Sequence, residues 1–182
     1  MALRAAGMGV VIESLTPSTA RAAEPALVEI LRDAVDSGAS VGFLPPLATA
    51  AASAYWRTVF AALDADARVL LVARRPADGA IVGTAQLDPA GKENARHRAE
   101  VAKVLVLQSA RRQGVGRALM EALEEQARRR GRLTLVLDTR EGDPSETLYE
   151  RCGYTRVGVI PRYARSASGA LDGTVYFYRH LD

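Results

Sequence analysis

A single cysteine, Cys152, stands in a chain of 182 residues, so no intrachain disulfide can staple the fold, and a reducing compartment is the simpler expectation. Histidine is nearly as scarce, with two residues, and no Cys or His cluster has zinc spacing, so no bound metal is expected. No apolar run approaches the roughly 20 residues that a membrane span needs. The apolar N-terminal stretch Met1 to Ile12 lacks the compact core and cleavage pattern of a signal peptide, and the chain reads as cytoplasmic. Net charge is also small. The 24 lysines and arginines exceed the 21 acids by only three, and the basic residues are not interleaved with stacking aromatics, so neither nucleic acid nor a membrane surface is an expected partner. An anionic small ligand suffices to explain the basic balance. Internal repeats and low-complexity linkers are missing as well.

What is present is ordinary globular material. Hydrophobic residues make up 48% and charged residues 25%, which fits one domain spanning residues 1–182 around a sizeable core. Leu27, Ile30, Leu31 and Val35, spaced by three and four, predict a helix from Thr16 and Pro17 through Asp36 that Gly38 ends. Phe43-Leu44-Pro45-Pro46 must be a loop, because proline removes a donor and biases its predecessor toward extended geometry. A second helix follows from Ala48 to Leu63. Arg68 to Arg74 and Ala80 to Leu87 form a hairpin around the turn Arg75-Pro76-Ala77-Asp78-Gly79. A longer strand, Arg98 to Leu107, is polar at first and apolar at its end.

After it comes Arg111-Arg112-Gln113-Gly114-Val115-Gly116-Arg117, and then an amphipathic helix, Gly116 to Arg130, with Val115, Leu119, Ala122, Leu123 and Ala127 as its buried stripe. Two glycines between a strand and a helix let backbone amides approach a ligand, and the helix dipole favours an anion there. A surface turn that merely caps the helix has the same spacing. Gly131 stops the helix and Leu133 to Leu137 forms a strand, giving a strand, helix, strand unit of parallel sense with Asp138 at its carboxyl end, the usual ligand side of an open α/β sheet. A short helix, Ser145 to Arg151, closes at Gly153. Tyr154 to Ile160 and Thr174 to His180 read as the last strands, with Ser166 to Gly173 a polar loop between them.

Val104-Leu105-Val106-Leu107, Arg111-x-x-Gly114-x-Gly116 and Leu148-Tyr149-Glu150-Arg151-Cys152-Gly153-Tyr154 together resemble the acetyl-CoA and terminal tyrosine motifs of the GNAT superfamily of N-acetyltransferases. The resemblance covers about Ala80 to Val159. It implies an α/β (α+β) fold, with a central mixed, largely antiparallel sheet of about seven strands, a parallel pair splayed at its centre, and about four flanking helices. A narrower likeness lies in His97-Arg98-Ala99-Glu100-Val101, in Leu137-Asp138-Thr139-Arg140-x-Gly142-Asp143-Pro144-Ser145, and in Ile160-Pro161-Arg162-Tyr163-Ala164 with Leu171-Asp172-Gly173-Thr174. These segments look like the tabtoxin-resistance acetyltransferases, which implies a small amino-acid-like or β-lactam amine as acceptor. Two positions depart from the wider pattern: Gln108 stands where many members have proline, and Gly142 and Asp143 replace an asparagine.

From the resemblance follow the expected roles. The co-substrate is acetyl-CoA, its amide arm pairing as an added strand along Val104, Leu105 and Val106. Its diphosphate meets the amides of Arg112, Gln113, Gly114, Val115, Gly116 and Arg117, with the side chains of Arg111, Arg112 and Arg117 in reserve. An alkyl ammonium with a pKa of about 10.4 must lose a proton before it attacks a thioester. Glu100 and Asp138 are the candidate acids that bind and deprotonate it. Tyr149 is the candidate donor to the leaving thiolate. Plain structural roles compete with each: a salt bridge to Arg98 or His97 for Glu100, a turn cap for Asp138, a satisfied core hydroxyl for Tyr149. Tyr154 reads as packing, Cys152 as a small buried residue, Arg128-Arg129-Arg130 as a solvated helix face, and His97 and His180 receive no role. Val41-Gly42-Phe43-Leu44-Pro45 and Tyr55-Trp56 either wall the acceptor pocket or pack the core. Transfer to a protein amine and a non-catalytic coenzyme-binding module are the competing functions, and the resemblance is compatible with a homodimer.

Overall fold

The computed structural model describes residues 2–4 and 9–181, the first three by their backbone alone. Eight strands form one sheet: β1 Ala2–Arg4, β2 Val11–Ser14, β3 Val69–Arg74, β4 Ile81–Pro89, β5 Arg98–Val106, β6 Thr134–Arg140, β7 Thr155–Arg165 and β8 Leu171–His180. Their spatial order is β1-β2-β3-β4-β5-β6-β8-β7. Every neighbouring pair is antiparallel except β5 and β6, which lie parallel near the centre. This is the expected mixed sheet with its parallel pair. The strands β1 and β2 fall in the apolar N-terminal stretch, where four residues at most gave too short an alternation to read.

Five helices cover the two faces: α1 Pro17–Ala22, α2 Glu24–Asp36, α3 Thr49–Asp64, α4 Val115–Arg129 and α5 Ser145–Arg151. The single helix expected from Thr16 to Asp36 is divided at Ala23. Pro25 has no N–H to donate and its ring would collide with the carbonyl four residues earlier, so a new helix begins there. Thr16 caps α1 through a reciprocal box with Thr19.

The alternation of side chains along each strand feeds two cores. Leu70, Val72 and Leu105 pack with Leu27, Leu31, Trp56 and Phe60 of α2 and α3 on one face. Leu71, Leu87, Val101, Leu135, Leu137 and Phe177 pack with Leu119 and Leu123 of α4 on the other. Burial of side chains this size contributes about 1.5–3 kcal/mol each, which fixes the register of the central strands.

Two irregularities shape what lies between. Lys103 takes a positive φ of 51° where the β4 and β5 register slips between Thr84 and Gln86. Beyond this bulge β5 bends away from β6, and the two pair only through Arg98, Ala99 and Glu100 with Thr134, Leu135 and Val136. In β7 the register slips again between Ile160 and Ala164, where Pro161 sits on the sheet edge and Arg162 has a φ of 56°. The last strand pair is therefore longer than expected, and its loop shrinks to Ser166–Ala170, closed by the Ser166 amide on the Ala170 carbonyl.

Candidate active site

The split between β5 and β6 opens into a cavity of about 310 Å³. Glu100 from β5, Asp138 from β6 and Tyr149 from α5 all line it, together with Lys103, Val104 and Leu105. Residues 39–42 after α2, and Tyr163 and Ala164 of the bulged β7, also line it. The three residues singled out as catalytic thus meet in one place, although 49 positions separate the first from the last.

Sheet register explains the meeting. Glu100 pairs with Val136, and Asp138 lies two residues further along β6, so both carboxylates point to the same face. Asp138 stands within β6 rather than just beyond it, since the strand runs on to Arg140. The Thr174 hydroxyl shares its proton between Asp138 Oδ2 at 2.7 Å and the Thr139 carbonyl at 2.9 Å, fixing the carboxylate from β8. Glu100 has no hydrogen bond or ion pair among the described residues. The salt bridge to Arg98 or His97 does not form. Its pKa is raised above the ordinary carboxylate range by burial first, then by the charges of Asp88 and Asp138. A carboxylate so shifted is a better proton acceptor than a free one.

Tyr149 is buried against Tyr154 and Phe177, with ring centroids 6.2 and 5.9 Å away. Burial, and then Asp143 and Asp138, push its phenol upward, so it stays protonated and able to donate at neutral pH. Beside it a chain of short bonds runs from Thr139 Oγ1 to Ser145 Oγ at 2.6 Å, and from Ser145 Oγ to Asp143 Oδ1 at 2.7 Å. Asp143 also accepts from the Ser145 amide at 2.9 Å, so it caps α5.

The glycine loop leads from β5 into α4. Gly114 is the N-cap of α4 at φ 81° and has no side chain to cap the helix. The first helical bond runs from the Ala118 amide to the Gly114 carbonyl, so the amides of Val115, Gly116 and Arg117 face out of the helix end without an acceptor of their own. Such an end fits an anion. The two glycines serve different needs: Gly114 supplies the left-handed turn, whereas a Cβ on Gly116 would lie 3.1 Å from Leu148 of α5. The arginines are less free than the sequence suggested. Arg111 donates to the Val106 carbonyl at 3.1 Å and to Ser37 at 2.8 Å, and Arg117 pairs with Glu121 at 2.8 Å. Between the loop and the cavity, the β6-facing backbone edge of Val104 to Val106 is left open by the splay, while the Leu105 side chain is committed to the core.

Other assignments resolve in the same way. Val41 and Gly42 wall the cavity, and Phe43, Leu44 and Pro45 line a smaller cleft behind it. Trp56 is core, and Tyr55 reaches the site through the Lys103 ammonium, 5.6 Å above its ring. Cys152 is buried and its thiol is raised, first by burial, which does not suit a nucleophile. His97 and His180 lie outside the cavity lining. Arg129 and Arg130 pair with Glu125 and Asp66. Sequence reasoning gave no role to Lys103 or to Tyr176, whose phenol is pushed up to about 12, first by its hydrogen bond with Tyr163. Among the described residues no group of three His, Cys, Asp or Glu side chains is placed to hold a metal ion, and no helix is long and apolar enough to cross a membrane.

A family model for the acetyltransferase (GNAT) family matches residues 32–154, which takes in Glu100, Asp138, Tyr149 and the glycine loop. The chain belongs to the GNAT family of acetyltransferases. Among curated relatives it is similar to an uncharacterized N-acetyltransferase in the hisH-hisA intergenic region of Azospirillum brasilense, with 38% identity over 117 residues, 63% of this chain and 67% of that one. Among solved structures it is similar to ribosomal-protein-alanine N-acetyltransferase from Brucella melitensis, with a TM-score of 0.77, 26% identity, and coverage of 93% of this chain and 98% of the other. It also shares its fold with yncA, a putative acetyltransferase from Salmonella typhimurium solved with its cofactor acetyl-CoA. There the TM-score is 0.76 and the identity 21%, covering 96% of this chain and 95% of that one. For a GNAT acetyltransferase, acetyl-CoA is the co-substrate. The open β5 edge and the uncapped α4 N-terminus are features of this chain that fit it.

Proposed function

We propose that this acetyltransferase moves the acetyl group of acetyl-CoA directly onto a primary amine of a small molecule. The observation that carries the reading is the convergence of Glu100, Asp138 and Tyr149 on one cavity of about 310 Å³ beside the open edge of β5. A cavity of that size suits a small amine. The likeness in sequence to tabtoxin-resistance acetyltransferases supports an amino-acid-like or β-lactam amine.

In this reading Val104 to Val106 orient the arm of the donor, and the amides at the start of α4 hold its diphosphate. The donor supplies an activated acetyl thioester. Glu100 and Asp138 bind the acceptor ammonium, and Glu100, with its raised pKa, takes the proton as nitrogen attacks. Tyr149 donates to the departing sulfur. The test is thiol release from acetyl-CoA across amino acids, polyamines, β-lactam amines and peptides. Turnover confined to small amines is expected. Tight coenzyme binding with no turnover of any amine would overturn the proposal.

A further inference from the structure

Lysine is rare in this chain: of 24 basic residues only Lys92 and Lys103 are lysines, the rest being arginine. An arginine side chain stays charged and is not a nucleophile, whereas a lysine can lose its proton when partly buried. One of the two lysines lies in the catalytic cavity. Lys103 is the only basic residue lining it among the described residues, and its ammonium has no hydrogen bond or ion pair there, resting instead over the Tyr55 ring. The neighbouring Arg68, by contrast, is engaged by Asp88 and by Gln86 at 2.9 Å.

The backbone brings this lysine to the donor. Lys103 sits at the bulge of β5 with φ 51°, within the edge that β6 leaves unpaired after Glu100, and shares its cavity with Glu100 and Tyr149. Lys103 lines the cavity, and its ammonium lies over the Tyr55 ring at 5.6 Å. We propose that Lys103 is a self-acetylation site, taking the acetyl group from acetyl-CoA bound to the same molecule when no free amine occupies the cavity. The inference rests on the donor lying along β5. Lys103 loses one ammonium proton to Glu100 or water, its Nζ forms a bond to the acetyl carbon, the carbon–sulfur bond breaks, Tyr149 protonates the thiolate, and the second nitrogen proton, shed as the amide forms, restores the tyrosine. The products are an acetyl-lysine amide, coenzyme A thiol and one proton.

Burial first, and then Arg68, lower the pKa of Lys103, against the opposing charges of Asp138, Glu100 and Asp88, which raises its neutral fraction. Lys92 is exposed, outside the cavity, and provides an internal control. An amide is too stable to pass the acetyl group on, so the modified protein is a lasting state that has lost the cavity's unpaired cation.

The experiment incubates the full chain with isotopically labelled acetyl-CoA and no amine, then follows intact mass and maps the label by peptide. One labelled acetyl at Lys103 is expected, at a rate independent of protein concentration and on the order of a hundredfold above Lys92, as positioned groups outpace encounter in solution. Lys103→Arg should abolish that label, and Tyr149→Phe should slow it. Coenzyme binding by calorimetry and thiol release with free amines, measured on the same sample, separate the two readings. Binding and amine turnover with Lys103 unlabelled, or with Lys92 labelled equally fast, overturn this inference alone. Failure of the chain to bind acetyl-CoA overturns both.

Discussion

Glu100, the proposed proton acceptor, carries a partly desolvated charge close to Asp88 and Asp138. Its folded pKa lies above the ordinary glutamate value, so the native state binds its proton more readily than the unfolded chain does. Its contribution to stability is therefore fully present at low pH and is lost as pH rises from that value through the raised one. Because Glu100 opens to the cavity, solvent screens the term, and at neutral pH Glu100→Gln should gain no more than about 1 kcal/mol in thermal or urea unfolding. The same variant should lose about a hundredfold or more in kcat, in the range of general base catalysis. In the parent protein kcat should fall as pH drops through the raised pKa of Glu100, and that acid limb should disappear in Glu100→Gln. Tyr149→Phe should lower kcat by about a hundredfold while leaving the affinity for acetyl-CoA nearly unchanged, measured by steady-state kinetics beside calorimetric titration. Both residues were legible from their motifs. Lys103 was not, because nothing in a strand's alternation announces a bulge.

In the proposed donor site the splayed edge of β5 and the start of α4 work together, and Gly114 is the residue that opens α4. A β-branched residue at its φ of 81° brings Cβ against the backbone, so Gly114→Val should cost about 1–2 kcal/mol of stability and weaken coenzyme binding, whereas Gly114→Asn, which tolerates that conformation, should largely keep both. Calorimetric titration with coenzyme A and thermal unfolding read the two effects separately. Periodicity revealed α3, α4, the β3 and β4 hairpin and the β5-α4-β6 unit, because each has a long apolar pattern with clear stops. The helix break at Ala23 was present in the sequence as Pro25, but the continuous stripe from Leu27 to Val35 masked it. The longer course of β7 stayed hidden because Pro161 argues against a strand, and only its place at the sheet edge admits it.

In the whole molecule, one sheet separates two cores, and the cavity gathers residues from both halves of the chain. Residues 39–42, Tyr163 and Ala164 also line it, and Asp138 is held by Thr174 from β8. These partners lie far apart in sequence, and only the register of paired strands brings them together, so the acids and the Val41-Gly42 wall were readable while the contacts from β7 and β8 were not. A donor gripped by β5 and α4 binds only the folded state. Acetyl-CoA at a hundred times its dissociation constant should therefore stabilise the protein by about 2.7 kcal/mol, seen as a concentration-dependent rise in Tm. Direct transfer within this one cavity, as proposed, requires donor and acceptor to be present at once, and initial-rate kinetics with acetyl-CoA and the best small amine varied together reveal whether they are. Intersecting double-reciprocal lines are expected; parallel lines, the mark of an acetyl-enzyme formed before the amine binds, would rule direct transfer out.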